Sequence, residues 1–176
     1  MSLRYTICFC HCGDKVLMLY RNRPPNQNHW NGLGGKIQVG ETPLECVQRE
    51  ILEEANIDLN SIILLRFAGI VTWPVGADAT ASSSGMFAFI ADLPPDWPTW
   101  EGNRMIPEGT LCWKPFEWVC NKQNVEVVSN IPYFLPHMLS EHVPAEYFCD
   151  YHEEHLVDVI IHPLSTSDIL NMSWQV

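Results

Sequence analysis

The strongest constraint on this chain is a helix whose two ends are written into residues 42–56. Thr42 is a capping residue, Pro43 stands at the first helical position, and Glu45 completes a capping box with Thr42. Asn56 tolerates the left-handed backbone that closes a helix, so the helix is expected to stop there. Between these ends stand Glu45, Arg49, Glu50, Glu53 and Glu54. At about 100° per residue, Glu50, Glu53 and Glu54 share roughly one-third of the helix circumference. Leu44, Val47, Ile51 and Ala55 fall on an adjoining arc that can pack into a core. One face therefore anchors the helix, and its neighbour presents three carboxylates. Like charges at these spacings cost about 0.2–0.5 kcal/mol per pair. A hard divalent cation with phosphate in its shell relieves that repulsion. A solvated acidic surface is the alternative reading of the glutamates alone.

Strand patterns surround the helix. Tyr5, Ile7 and Phe9 alternate with Thr6, Cys8 and Cys10, so residues 4–12 read as a strand. Gly13-Asp14 turns the chain into a second strand, Lys15 to Arg21. Residues 23–30 hold two prolines and read as a loop. Further strand segments are expected within Ile62 to Val71, over Met86 to Ala91 and over Leu111 to Phe116, with a hairpin loop over Ala77 to Ser84. Asp92 to Glu108, with Trp97 and Trp100, reads as a long irregular loop, a length more often functional than not. Its tryptophans either cover the core or form a lid. A second helix is expected over Ile131 to Leu139, and a terminal hairpin from Tyr147–Tyr151 and Leu156–Ile161. Mixed strands around two helices give the α/β (α+β) class, a sandwich.

Bulk properties narrow the partners. A length of 176 residues suits a single domain, 1–176, since domains commonly run to about 100–200 residues. With 21 acidic against 10 basic residues the net charge is −11, which argues against polymeric nucleic acid. A small phosphorylated substrate fits if a metal supplies positive charge. Seven cysteines without disulfide-scaffold spacing read as reduced thiols. No signal-peptide pattern is seen, and no apolar run approaches the roughly 18 residues that span a bilayer. The expectation is a soluble, cytoplasmic domain that does not enter membranes.

The full string around the helix resembles the signature of the Nudix (MutT-like) hydrolases: Gly, five residues, Glu, seven residues, then Arg-Glu-aliphatic-x-Glu-Glu. It is met over 35–57 by Gly35, Glu41, Arg49, Glu50, Ile51, Glu53, Glu54 and Ile57. Asn56 stands where the family usually has Gly. The resemblance implies the Nudix α/β/α sandwich, with a mixed sheet between helices, and hydrolysis of a nucleoside diphosphate linked to another group, assisted by Mg²⁺ or Mn²⁺. It further implies that Glu50, Glu53 and Glu54 hold metal, with the Gly34 carbonyl as an added ligand. One of these glutamates or a later one would serve as the base. Arg49 and Glu41 would orient the carboxylates, while Gly34 and Gly35 form the turn against the substrate.

The flanks are similar to one branch of that family, the oxidised purine nucleoside triphosphate diphosphatases, which release pyrophosphate from 8-oxo-dGTP and its relatives. The run Trp30-Asn31-Gly32-Leu33-Gly34-Gly35-Lys36-Ile37-Gln38 carries that similarity. It implies that Asn31 pairs with the purine edge, that Thr6 approaches the sugar, and that Arg21 faces the phosphates. Glu108 would be an added metal ligand or base. Asn130 would contact the base, or else only cap the second helix. Some members carry paired aspartates where Ser129-Asn130 stands here, so the protonation-linked tolerance of an acidic pair is missing. ADP-ribose or a dinucleoside polyphosphate is the alternative substrate, and a non-hydrolytic nucleotide-binding domain is the alternative outside enzymology. Cys8-Phe9-Cys10-His11-Cys12 and His152-Glu153-Glu154-His155 suggest metal at first sight. In a strand, however, the cysteines and His11 point to opposite faces, and the second string falls in a hairpin turn.

Overall fold

In the computed structural model, residues 2–61, 64–75, 83–153 and 155–172 are described. The chain opens with β1 (Ser2–Cys12), β2 (Lys15–Arg21), β3 (Trp30–Asn31) and helix α1 (Pro43–Ala55). A single 3-10 turn, Leu59–Ser61, leads to β4 (Leu64–Pro74), β5 (Ser83–Asp92), β6 (Arg104–Ile106) and β7 (Gly109–Pro115). Helices α2 (Phe116–Val119) and α3 (Ile131–Ser140) follow, then β8 (Ala145–His152), β9 (His155–Pro163) and α4 (Thr166–Leu170).

Strand β1 lies in the middle of the sheet because both of its faces are apolar. Cys8, Cys10 and Cys12 pack with Leu17, Leu19, Val47 and Ile51 beneath α1. Ile7 and Phe9 pack with Val16, Met18, Phe134, Leu135 and Met138 beneath α3. The strand order is β6-β7-β2-β1-β5-β4-β8-β9, with β3 beside β2. Pairs β1–β5 and β4–β8 are parallel and the others antiparallel, so the sheet is mixed and helices cover both faces. This is the α/β/α sandwich that the family resemblance implies, within the α/β (α+β) class that the sequence pattern predicts.

Helix α1 keeps its expected limits. Thr42 and Glu45 form the reciprocal capping box, and Asn56 adopts the left-handed conformation at φ 55°. Its buried stripe differs from the expected one at Leu44, which is 47% exposed, while Pro43 and Cys46 bury the first turn. Leu44 and Ala55 lie at nearly the same angle, about 20° apart around the axis. The contact line drifts around the helix along its length, so that angle is buried at the last turn and exposed at the first.

Other expectations shift as well. Trp30–Asn31, expected to close a loop, instead pairs with Leu19 and Tyr20 as β3. Arg104–Ile106 interrupts the expected 92–108 loop and pairs with β7. Short helices α2 and α4 carry too few turns to show a period. The expected strand start at 62–63, most of the loop over 77–84, and Glu154 lie outside the described residues. His152 and His155 face each other at the exposed end of the β8–β9 hairpin.

Gly69 sets the meeting of β4 and β8. It sits at a register shift in β4, at φ +129°, and pairs with Ala145, whose carbonyl a Cβ would strike. Both the φ and the close approach require glycine. Gly69→Ala is expected to lower the unfolding free energy by about 3 kcal/mol or more, read from urea denaturation with fluorescence detection.

Candidate functional site

A glycine turn brings the helix carboxylates against the sheet. Residues 33–37 run beside β1 through backbone bonds from Cys8 N to Leu33 O (2.7 Å), Thr6 N to Gly35 O (2.8 Å) and Ile37 N to Arg4 O (3.0 Å). A Cβ at Gly34, whose φ is +134°, would strike the Thr6 carbonyl, and one at Gly35 would strike the Glu50 carboxylate. Only a bare backbone fits between β1 and α1 here. The Gly34 N–H donates to Glu54 Oε2 at 3.1 Å.

Arg49 holds the acidic face together. Its Nε and Nη2 donate to the two Glu41 oxygens at 2.8 and 3.0 Å. Its Nη1 donates to Glu50 Oε1 at 2.7 Å and to Glu53 Oε2 at 3.2 Å, and Nη2 also reaches the Lys36 carbonyl at 3.3 Å. The guanidinium holds the Glu41 carboxyl below its ordinary range, helped by the Gln38 N–H. Glu54 stands apart from this network. It is buried, and among the described residues no cation pairs with it. Burial pushes its carboxyl up to about 8 against the pull of the Gly34 N–H, and Glu50 and Glu108 add repulsion.

A cavity of about 690 Å³ opens over the turn. Its lining includes Gly34, Gly35, Glu50, Glu54 and Glu108, with the cations Arg21, Arg23 and Lys36. It also includes Asn31, Asn130, Trp73, Met86, Val128 and Tyr151. Arg21 Nε donates to the Pro25 carbonyl at 2.7 Å, which leaves both Nη groups to the cavity. Glu53, Arg49 and Glu41 are not in the lining, and the Glu53 side chain is 60% exposed.

Three polar residues of the cavity have part of their hydrogen bonding already committed. Asn31 Oδ1 accepts the Gly32 N–H at 2.9 Å, which leaves its amide as a donor. The Thr6 hydroxyl is turned toward α1, 3.4 Å from Cys46 Sγ, and accepts the Gly35 N–H at 3.5 Å. Asn130 occupies the N-cap position of α3, yet its side chain makes no capping bond. Instead its Nδ2 donates to Cys149 Sγ at 3.5 Å, and it meets the Tyr151 hydroxyl.

Arg23, Trp73, Met86 and Tyr151 line the cavity without having been singled out in the sequence. Arg23 lies in the bend two residues beyond β2, where strand alternation no longer sets the side a residue faces. Trp73 and Tyr151 were not recoverable, because they come near the glycine turn only through the long-range pairings β1–β5, β4–β5 and β4–β8. Trp97 and Trp100 pack against the core on the α1 side, with Trp100 edge-on to Trp113 at 5.6 Å.

The donor set of the carboxylates is all oxygen, which suits a hard divalent cation such as Mg²⁺ or Mn²⁺. Among the described residues, no three His, Cys, Asp or Glu side chains converge closely enough to hold one unaided, and Glu50 and Glu53 share Nη1 of Arg49 instead. The residues nonetheless fit a cation. Glu54 is a buried carboxyl with a hydrogen bond to one oxygen and, among the described residues, no ion-pair partner, only the more distant pull of Arg21, and a cation is the partner it lacks.

Residues 2–138 match the NUDIX domain, and the chain belongs to the Nudix family. It is 34% identical over 61 residues to the oxidized purine nucleoside triphosphate hydrolase of Mus musculus, covering 35% of this chain and 39% of that protein. It is 33% identical over 89 residues to the NAD-capped RNA hydrolase NudC of Vibrio atlanticus, covering 48% of this chain and 30% of that one. The chain thus spans only a third or so of the length of these curated relatives. The MutT protein of Bacillus halodurans shares the fold, with a TM-score of 0.69 at 24% identity, over 90% of this chain and 96% of that one.

The raised Glu54 carboxyl makes cation-free stability depend on pH. Unfolded, this group ionises near 4.5; folded, it keeps its proton to about 8. Between these values the folded state binds the extra proton, so its contribution to stability falls as pH rises and then levels off above about 8. Glu54→Gln removes that fall. Its melting temperature without added metal is expected to exceed wild type by about 5 °C or more at pH 8.5, and to converge on wild type near pH 5, by differential scanning calorimetry.

Proposed function

We propose that this chain hydrolyses an oxidised purine nucleoside triphosphate such as 8-oxo-dGTP, releasing pyrophosphate, with Mg²⁺ or Mn²⁺ as cofactor. The observation that carries the reading is a single cavity lined together by carboxylates, arginines, asparagines and aromatic side chains. Its size suits a nucleotide, since small-ligand pockets commonly measure about 300–1,000 Å³. The partial likeness to the mouse oxidised purine hydrolase supports the same substrate. Seven free cysteines suit a reducing, cytoplasmic setting, and no helix among the described residues is long and apolar enough to cross a membrane.

Each group of lining residues has its own task. Glu50, Glu53, Glu54, Glu108 and the Gly34 carbonyl would hold the metal. When bound, such a cation neutralises phosphate charge and lowers the pKa of water. Arg49, fixed by Glu41, limits the rotamers of Glu50 and Glu53 and offsets their repulsion. Arg21 and Arg23 offer guanidinium N–H groups to phosphate oxygens. For the base, Asn31 presents its amide as donor and Asn130 its oxygen as acceptor, a donor–acceptor pair that matches a purine edge. Trp73 and Tyr151 supply faces for the ring. Neither asparagine titrates, so this readout keeps one polarity at every pH.

The likeness to NudC favours a second reading, in which a dinucleotide takes the place of the triphosphate. A panel of 8-oxo-dGTP, dGTP, ATP, ADP-ribose, diadenosine polyphosphates and NAD with Mg²⁺ or Mn²⁺ separates the two. Pyrophosphate with a monophosphate from 8-oxo-dGTP is the expected outcome. Preferential cleavage of the dinucleotides selects the second reading, and no turnover of any compound sinks both.

Two variants test the carboxylates. Glu53→Gln is expected to lower kcat by about 100-fold or more, with its melting curve close to wild type. In Gly35→Ala the new methyl strikes the Glu50 carboxylate that Arg49 holds, so stability should fall by about 1–3 kcal/mol while turnover falls by a comparable 100-fold or so. Steady-state kinetics with thermal melts reads both, and near-normal kcat in either variant counts against the assigned role.

A further inference from the structure

Glu108 reaches the cavity from an unpromising place. It stands in the two-residue turn between the three-residue β6 and β7, at the outer edge of the sheet, with its side chain 41% exposed. A glutamate has three rotatable side-chain bonds, so its carboxylate can be aimed only if its backbone is fixed. That fixing comes from the end of β2. The β2–β7 ladder stops at Arg21, which pairs with Gly109. Gly109, at φ +153°, approaches β2 so closely that a Cβ would strike the Tyr20 carbonyl.

Asn22, the first residue beyond the ladder, carries the connection one step further. Its N–H donates to the Glu108 carbonyl at 3.1 Å, and its Nδ2 donates to the Pro107 carbonyl at 3.0 Å. Arg23 Nη2 donates to the same Pro107 carbonyl at 3.0 Å and lies 3.9 Å from Glu108 Oε1. Asn22 is anchored in turn, because its own carbonyl accepts from Gln27 Nε2 at 3.0 Å. It is uncharged and exposed, and it does not line the cavity.

We infer that Asn22 is a positioning residue: by latching the Pro107–Glu108 turn to the end of β2, it keeps the Glu108 carboxylate aimed at the metal site in the cavity. The inference rests on Glu108 being one of the oxygen donors there. Asn22 touches neither substrate nor metal and acts only through Glu108.

A double-mutant cycle of Asn22→Ala and Glu108→Gln tests this with two readouts, Mn²⁺ affinity by electron paramagnetic resonance and steady-state kinetics. Asn22→Ala is expected to weaken Mn²⁺ binding and lower kcat by about 10-fold each, with KM within about 2-fold and melting temperature within about 3 °C. In the Glu108→Gln background it should cost nothing more in either readout. Equal losses in both backgrounds, or no loss in the wild-type background, overturn the proposal. Unchanged Mn²⁺ affinity and kcat in Glu108→Gln alone overturn it too, since nothing is left to position. A wild-type protein that turns over no nucleotide overturns the proposed function, while the Mn²⁺ cycle still reads the coupling between Asn22 and Glu108.

Discussion

Three carboxylates on adjacent turns of one helix repel each other, and the rest of this site depends on how that repulsion is contained. Arg49 does most of it. One guanidinium takes both oxygens of Glu41 and one oxygen each from Glu50 and Glu53, and adds the Lys36 carbonyl. Lysine, a single point charge, has no fork of this shape to offer. Glu41 precedes the helix by two residues, so the same contact ties the glycine turn to α1. Glu54 is contained differently, by burial and the Gly34 N–H, and keeps its proton where the other glutamates rely on an ion pair.

Much of this was legible in the chain because it is local. Helix α1 lies between two chemical stops, Thr42 and Asn56, and each acts within a few residues of itself. The β1–β2 hairpin needs only a short turn and an alternating pattern, and it formed where the pattern put it. The same locality makes the carboxylate part of the site readable, since Gly34 to Glu54 spans little more than 20 residues.

What was not legible comes from distance or from short length. Trp73 and Tyr151 reach the cavity through two parallel pairings, β1–β5 and β4–β8, and neither leaves a mark in the local sequence. Leu44 has the right angle for burial but sits in the first turn, where the buried stripe runs through Pro43 and Cys46 instead. Asn130 is a harder case. Its residue type and its place before α3 both say cap, yet its amide is drawn to Cys149 on β8. Propensity gave way there to a tertiary contact, which only the folded sheet supplies.

The two parallel pairings also divide the cavity by chain distance. Its acidic lining is completed by residues 6–56 with Glu108, whereas its aromatic lining waits for strands β4, β5 and β8. Closing such long loops is slow, so the glycine turn and its helix belong to the early part of folding. Glu108, which the β2–β7 pairing brings from as far along the chain, belongs with the aromatic lining to the late part. The same partition holds for inheritance. Substitutions in residues 64–75 and 128–151 can reshape what the cavity accepts while the glycine turn and its helix stay as they are. A lineage built on this chain can therefore exchange its ligand and keep its chemistry.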